Sequence, residues 1–219
     1  MKIQIIGADS AFDGLNTSFF VRDDAGRGIL VDCGFTVYPE LNRRGMLGDI
    51  DIVLISQTHA DHSGSLTTLC AKRKKMGAPV ALGGADVAPL FQIVEGRTDM
   101  FTPLTDDLLK VEYLETEHIS GVMKNKAMLI ADTIFYSGDT RESLLDTEFA
   151  RGAKIIIHET SLDTPVAHVP LAELARAPAD IRAKTWLIHI PTNERDEITR
   201  LAAEYGFAGV CQNGQEIEI

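Results

Sequence analysis

The unbroken apolar run Ile52-Val53-Leu54-Ile55 constrains this chain more than any other stretch. Apolar residues without polar alternation read as a strand buried on both faces. Such a strand needs cover on each side, which points to an α/β arrangement. It runs into Ser56-Gln57-Thr58-His59-Ala60-Asp61-His62-Ser63-Gly64 and then into the amphipathic segment Ser65–Met76. Buried strand, polar loop and helix is where α/β proteins place their chemistry. The loop crowds two imidazoles and a carboxylate, His59, Asp61 and His62, into one turn of chain. Borderline transition metals prefer such ligands. A polar loop that caps the next helix is the plainer alternative.

The remaining pattern repeats this grammar. Lys2–Gly7, Thr17–Arg22 and Gly28–Asp32 read as strands, with Asp23-Asp24-Ala25-Gly26 as hairpin chemistry. A short helix is expected in Pro39–Leu47, a strand at Pro79–Leu82 and a helix at Ala85–Val94. Gly96–Asp107, with Pro103, reads as irregular. Strands follow at Leu108–Glu115, Ala127–Ala131, Thr133–Ser137, Ala153–Ile157 and Thr185–Ile190. Helices are expected at Arg141–Ala150, from Leu171, and at Glu194–Tyr205. The last strands are Gly209–Gln212 and Glu216–Ile219. With no linker or low-complexity stretch, residues 1–219 read as one domain of two packed sheets with helices outside.

Composition narrows the function. The 219-residue chain can bury a full core. It has no run long enough to span a membrane and no signal-peptide pattern, so a cytoplasmic protein is expected. Cys33, Cys70 and Cys211 are scattered in apolar context and read as reduced core thiols. A net charge of −11 disfavours long nucleic acids but not a small anionic substrate drawn by a local metal centre. The basic run Lys72-Arg73-Lys74-Lys75 suits the C-terminal turn of a helix.

All six histidines, His59, His62, His118, His158, His168 and His189, fall at predicted strand ends or in the loops beyond, and none in a predicted helix. That placement argues for one site. Asp139, in Tyr-Ser-Gly-Asp-Thr, follows a glycine that permits a tight turn. It reads as a metal-bridging carboxylate or as the N-cap of the next helix.

These motifs, Thr-His-Ala-Asp-His-Ser-Gly, the distant His118, Ser-Gly-Asp-Thr and Leu-Ile-His-Ile, resemble those of the metallo-β-lactamase superfamily. The resemblance covers essentially the whole chain. It implies an αββα four-layer sandwich of two mixed sheets with helices outside, and a dinuclear metal site. By that carry-over His59 and His118 serve one metal, Asp61, His62 and His189 the other, and Asp139 bridges. Zinc is the expected ion, with manganese or another first-row ion as the alternative. Ile-Ile-Ile-His158-Glu159-Thr160 with Ala167-His168-Val-Pro narrows the resemblance to the ribonuclease-Z-like phosphodiesterase branch, which includes cyclic-nucleotide phosphodiesterases of the phage anti-Pycsar type. There a Glu and a loop His, here Glu159 and His168, form an accessory pair. A carboxylate that fixes the imidazole tautomer lets it protonate a leaving oxygen.

Two departures stand out. No basic insertion could serve as a transfer-RNA-gripping arm, so transfer-RNA processing is disfavoured. Gln57 stands where the family's first loop histidine belongs, and an amide is a weak zinc ligand. The expectation is a metal-dependent phosphodiesterase that cleaves a small cyclic or short nucleotide-like substrate with metal-held hydroxide. Asp61, Glu159 and His168 are its catalytic residues. A lactonase-type acyl hydrolase and a degenerate ligand-binding protein are the alternatives. The branch implies a homodimer, and specificity is expected in Gly96–Asp107 and Asp163–Pro170.

Overall fold

A computed structural model describes residues 2–162 and 166–219; residues 163–165 of the expected specificity loop lie outside it. The chain forms two compact units, Met1–Thr105 with Asn213–Ile219, and Asp106–Gln212.

The first unit contains strands β1 (Lys2–Gly7), β2 (Ser18–Arg22), β3 (Gly28–Val31), β4 (Ile52–Ile55), β5 (Ala81–Gly84) and β6 (Thr102–Pro103). Its helices are α1 (Val37–Arg43), α2 (Ala60–Ser63), α3 (Leu66–Lys75) and α4 (Ala88–Glu95). β1, β2 and β3 pair antiparallel, whereas β3, β4, β5 and β6 run parallel. β4 is buried along its whole length, as its composition requires. Phe20, Leu30, Val53, Leu69 and Phe91 belong to the core of this unit. Pro103, expected in irregular chain, instead pairs with Leu82 in β6 at the sheet edge, where a missing N–H is tolerated.

The second unit contains β7 (Val111–Ile119), β8 (Met123–Ile130), β9 (Ile134–Tyr136), β10 (Ile155–Glu159), β11 (Thr185–Ile188) and β12 (Gly209–Val210). Its helices are α5 (Glu148–Gly152), α6 (Leu171–Leu174), α7 (Ala179–Arg182) and α8 (Arg195–Tyr205). β7–β8–β9 is an antiparallel meander, and β9, β10, β11 and β12 run parallel. Phe135, Ile156, Leu187 and Ile198 sit in its core. β13 (Glu216–Glu218) returns to the first unit and pairs with β1.

The helix expected over Arg141–Ala150 is reduced to α5, which begins at the Thr147 cap. The N–H groups that would have served its first turns are taken elsewhere. Thr140 donates to Glu159 Oε1, Arg141 to the Glu117 carbonyl and Leu144 to His158 Nε2. The first amides of a helix have no acceptor within it, so only Leu144, which would have bonded the Thr140 carbonyl, exchanges a helical acceptor for a tertiary one; no helix starts here for Asp139 to cap. His62 lies inside α2, a single helical turn, which corrects the expectation of no helical histidine.

The segment after β3 pins the loop after β4. Cys33 N donates to the His62 carbonyl, Phe35 N to that of Ala60, and Ser65 N to that of Cys33. Gly34 makes this approach possible: a Cβ there would lie 1.9 Å from the Asp61 carbonyl oxygen. Gly34→Ala is expected to destabilise by about 1–3 kcal/mol, the usual cost of overpacking, and to displace Asp61. A urea midpoint equal to wild type would show that the loop yields freely.

Candidate metal and acid–base site

In the first unit the backbone turns sharply where β3 ends. Asp32 adopts a left-handed φ of 57° and is fully buried. Its carboxylate accepts from the Ser56 amide at 2.7 Å, from the Ser56 hydroxyl at 2.8 Å and from His62 Nδ1 at 2.8 Å. A carboxylate acceptor places the proton on Nδ1 and leaves the Nε2 lone pair for a cation. That nitrogen faces Asp61 Oδ2 at 3.2 Å. Two predicted ligands, Asp61 and His62, are thus brought together and held from behind by Asp32. Asp32 was legible only as a strand end; the signal for its role is the Asp32-Cys33-Gly34 run at the C-terminal end of a β-strand. His59 is the half-buried N-cap residue of α2, and Gln57 is fully buried beside Ser56.

The second unit supplies the remaining predicted residues. A register shift between Glu117 and Ile119 interrupts the β7–β8 ladder at His118, the kind of bulge that re-aims a side chain. His118 Nδ1 donates to the Ala167 carbonyl at 2.8 Å, so Nε2 again carries the lone pair. Gly138, at φ 55°, turns the chain into Asp139; a Cβ at Gly138 would meet Asn125 Oδ1 at 2.1 Å. Asp139 is 1% exposed, and its Oδ2 lies 3.7 Å from His118 Nε2 and 3.6 Å from His189 Nε2. His189 reaches this position through a left-handed φ of 61° just after β11. His118, Asp139 and His168 offer ligand atoms within 4.8 Å of one another. Imidazole and carboxylate donors with their second nitrogens already committed suit a first-row divalent ion.

Glu159 ends β10, fully buried. Its Oε1 accepts from the amides of Thr140 and Val169, and its Oε2 faces His168 Nδ1 at 3.0 Å. Burial pushes the Glu159 carboxyl up to about 7, while hydrogen bonding to His168 pulls the other way. The pair therefore holds a proton near neutrality. The His168 ring lies 5.2 Å from that of His118 and 5.3 Å from that of His189, centroid to centroid. Glu159, His168 and three predicted ligands share one cluster.

His158 does not belong to it. Its ring is fully buried, with Nδ1–H donated to the Glu159 carbonyl at 2.7 Å and Nε2 accepting from Leu144 N at 3.3 Å. Both contacts need the neutral imidazole, and burial depresses its pKa from 6.5 to about 4. His158 is thus a buried structural histidine, and the six histidines do not all mark one site. The unfolded imidazole takes a proton below about 6.5, the folded one only below about 4. The stability that neutral His158 contributes is complete above the upper value and lost as pH falls to the lower, about 3 kcal/mol in all. His158→Asn should be less stable at pH 7, with a flatter acid decline in urea titrations. Parallel curves for the two proteins would show that another group governs the decline.

No helix among the described residues is long and apolar enough to cross a membrane. The profile of a family described as "Anti-Pycsar protein Apyc1" matches residues 1–80 and 85–217. The anti-Pycsar protein Apyc1 of Paenibacillus harenae is 31% identical over 222 residues, covering 86% of this chain and 89% of that protein. Among solved structures, the metallo-β-lactamase fold protein YhfI from Bacillus subtilis matches with a TM-score of 0.76 at 21% identity, covering 99% of each chain. A diphosphatase from the PhnP family matches with a TM-score of 0.75 at 18% identity, over 100% of this chain and 97% of that one. The chain has the metallo-β-lactamase fold and belongs to the anti-Pycsar protein Apyc1 family.

Proposed function

We propose that this chain is a metal-dependent phosphodiesterase that hydrolyses a small cyclic nucleotide. The observation that carries this reading is the Glu159–His168 pair, 3.0 Å apart, in the same cluster as Asp139, His118 and His189. Carboxylate-to-cation ligation alone would suit many hydrolyses. A proton-bearing imidazole oriented by a buried carboxylate suits a reaction that must expel a poor alkoxide leaving group. The anti-Pycsar name of the relatives supports a cyclic-nucleotide substrate.

The reading assigns one ion to Asp61, His62, His189 and Asp139, and a second to His59, His118 and Asp139, with Gln57 as a weak neighbour. Bound divalent ions would supply Lewis acidity and acidify a water. The chain's own residues do the rest. Asp32 and the Ala167 carbonyl keep His62 and His118 in the tautomer that presents Nε2. Asp61 orients the nucleophilic water. His168 carries the proton for the leaving oxygen, and Glu159 holds its ring in place.

The test is incubation with a panel of cyclic nucleotides, with and without zinc or manganese. Metal-dependent opening of the cyclic diester is expected; no turnover on any member would overturn the reading. We further propose a homodimer, which light scattering at micromolar concentration reads directly.

Gln57 makes the two ion sites unequal. The side with Asp61 is expected to fill first, and the side with His59 weakly. Gln57→His should raise affinity for the second ion on the order of 10–100-fold, as one imidazole replaces an amide. Metal titration by calorimetry checks this, and two equal tight sites in the wild type would refute it.

A further inference from the structure

We infer that Arg141 is the anion-binding residue that grips the phosphate of the substrate; this rests on the phosphodiesterase reading above. Arg141 follows Asp139 by two positions, and its amide donates to the Glu117 carbonyl, immediately before His118 on β7. Its backbone is thus tied to both strand ends that present the metal-capable side chains. The residue is half-buried, and its Nε is buried without a hydrogen-bond partner. Among the described residues its guanidinium has no carboxylate partner either.

Arg73 Nε is also buried without a partner, but the rest of the Arg73 guanidinium is bonded, whereas among the described residues no atom of the Arg141 guanidinium is. The other arginines withdrawn from solvent all hold acceptors: Arg27 bonds Asp23, Arg44 bonds Glu40, Arg73 bonds Asp51 and the Gly48 carbonyl. Arg182 and Arg195 bond backbone carbonyls. A chain with 32 acidic residues has no shortage of partners, yet Arg141 is left with a buried donor unused. A buried unpaired donor is costly and persists where a ligand satisfies it. The guanidinium fork matches two oxygens of a phosphate, and its permanent charge offsets the acidic field that a substrate anion meets. The ligand class is therefore a phosphoryl anion.

The test measures inorganic phosphate and a nucleoside monophosphate binding to the metal-loaded protein by calorimetry, alongside urea unfolding. Arg141→Gln is expected to weaken both ligands at least 10-fold, with Arg141→Lys recovering part of the loss. Arg141→Met should unfold at an equal or higher urea concentration, because no internal bond is removed. In cyclic-nucleotide turnover, Arg141→Gln should raise KM more than it lowers kcat. Unchanged phosphate affinity in Arg141→Gln, or no phosphate binding by wild type, overturns the assignment, as does a marked loss of stability in Arg141→Met. Arg141-dependent phosphate binding without turnover of any cyclic nucleotide would leave this site standing and overturn the phosphodiesterase reading instead.

Discussion

Asp139→Asn is expected to lose turnover on the order of 10²–10³-fold or more and to retain fewer than the wild-type number of metal ions per chain. The substitution keeps the shape and removes the charge. Asp139 Oδ2 stands between His118 Nε2 and His189 Nε2, at 3.7 and 3.6 Å. A neutral amide at that point offers one poorly basic oxygen where a bridging ligand needs anionic donors. Because Asn is nearly isosteric, the metal-free variant should unfold close to the wild-type urea concentration. That separates loss of ligation from loss of fold. Elemental analysis of the purified proteins with kcat on a cyclic nucleotide checks both halves. Full metal content together with wild-type kcat would remove Asp139 from the site.

The second large effect concerns His168 and depends on the leaving group. His168→Ala should lower kcat for a cyclic nucleotide on the order of 10²–10⁴-fold, the range of a lost general acid. A diester that expels nitrophenolate should be far less affected, since that oxygen leaves without a proton. Glu159→Gln should follow the same selectivity with a smaller loss, because the imidazole remains but loses its carboxylate partner at 3.0 Å. The pH profile follows from burial. Burial raises the Glu159 carboxyl above its ordinary range toward neutrality, so the proton it shares with His168 is given up as pH rises through the neutral range. The rate on alkoxide leaving groups should therefore fall as pH rises through the neutral range, and this alkaline limb should vanish in His168→Ala. Equal losses on both classes of diester would mean that His168 acts as a ligand or scaffold, not as a proton donor. A lactone hydrolysed unchanged by the variant would favour acyl chemistry.

The buried strand Ile52–Ile55 and the polar loop of His59, Asp61 and His62 after it were legible because both are local. A run of apolar residues leaves a short strand little choice but burial, and the residues that follow are carried to its end. The two sheets with helices outside were legible for the same reason, from strand periodicity and turn chemistry; the antiparallel-then-parallel order of each came only from the structure. The Glu159–His168 pairing could be expected from a resemblance to known motifs, and the contact at 3.0 Å agrees with it.

What the sequence alone left open depends on which distant backbone or side chain arrives at each group. Nothing local in Arg141–Ala150 forbids a helix, yet the amides at and just before its start go to Glu159, Glu117 and His158, reached only through the pairing of β9 with β10 and the return of β7, and Leu144 thereby gives up the acceptor a first helical bond would need. His158 and Glu159 are neighbours in the same strand and point to opposite faces, as alternation demands. Only the packed sheet decides that one face encloses a neutral imidazole between two backbone groups, while the other places a carboxylate against His168. Asp32 becomes the partner of His62 because β3 and β4 run parallel in register, Val31 beside Leu54, which brings two turns 30 positions apart into contact. Residue type and local period determined the elements and the donor atoms on offer; the hydrogen-bond partners, and hence protonation and role, follow from sheet register, which is a long-range property of the fold.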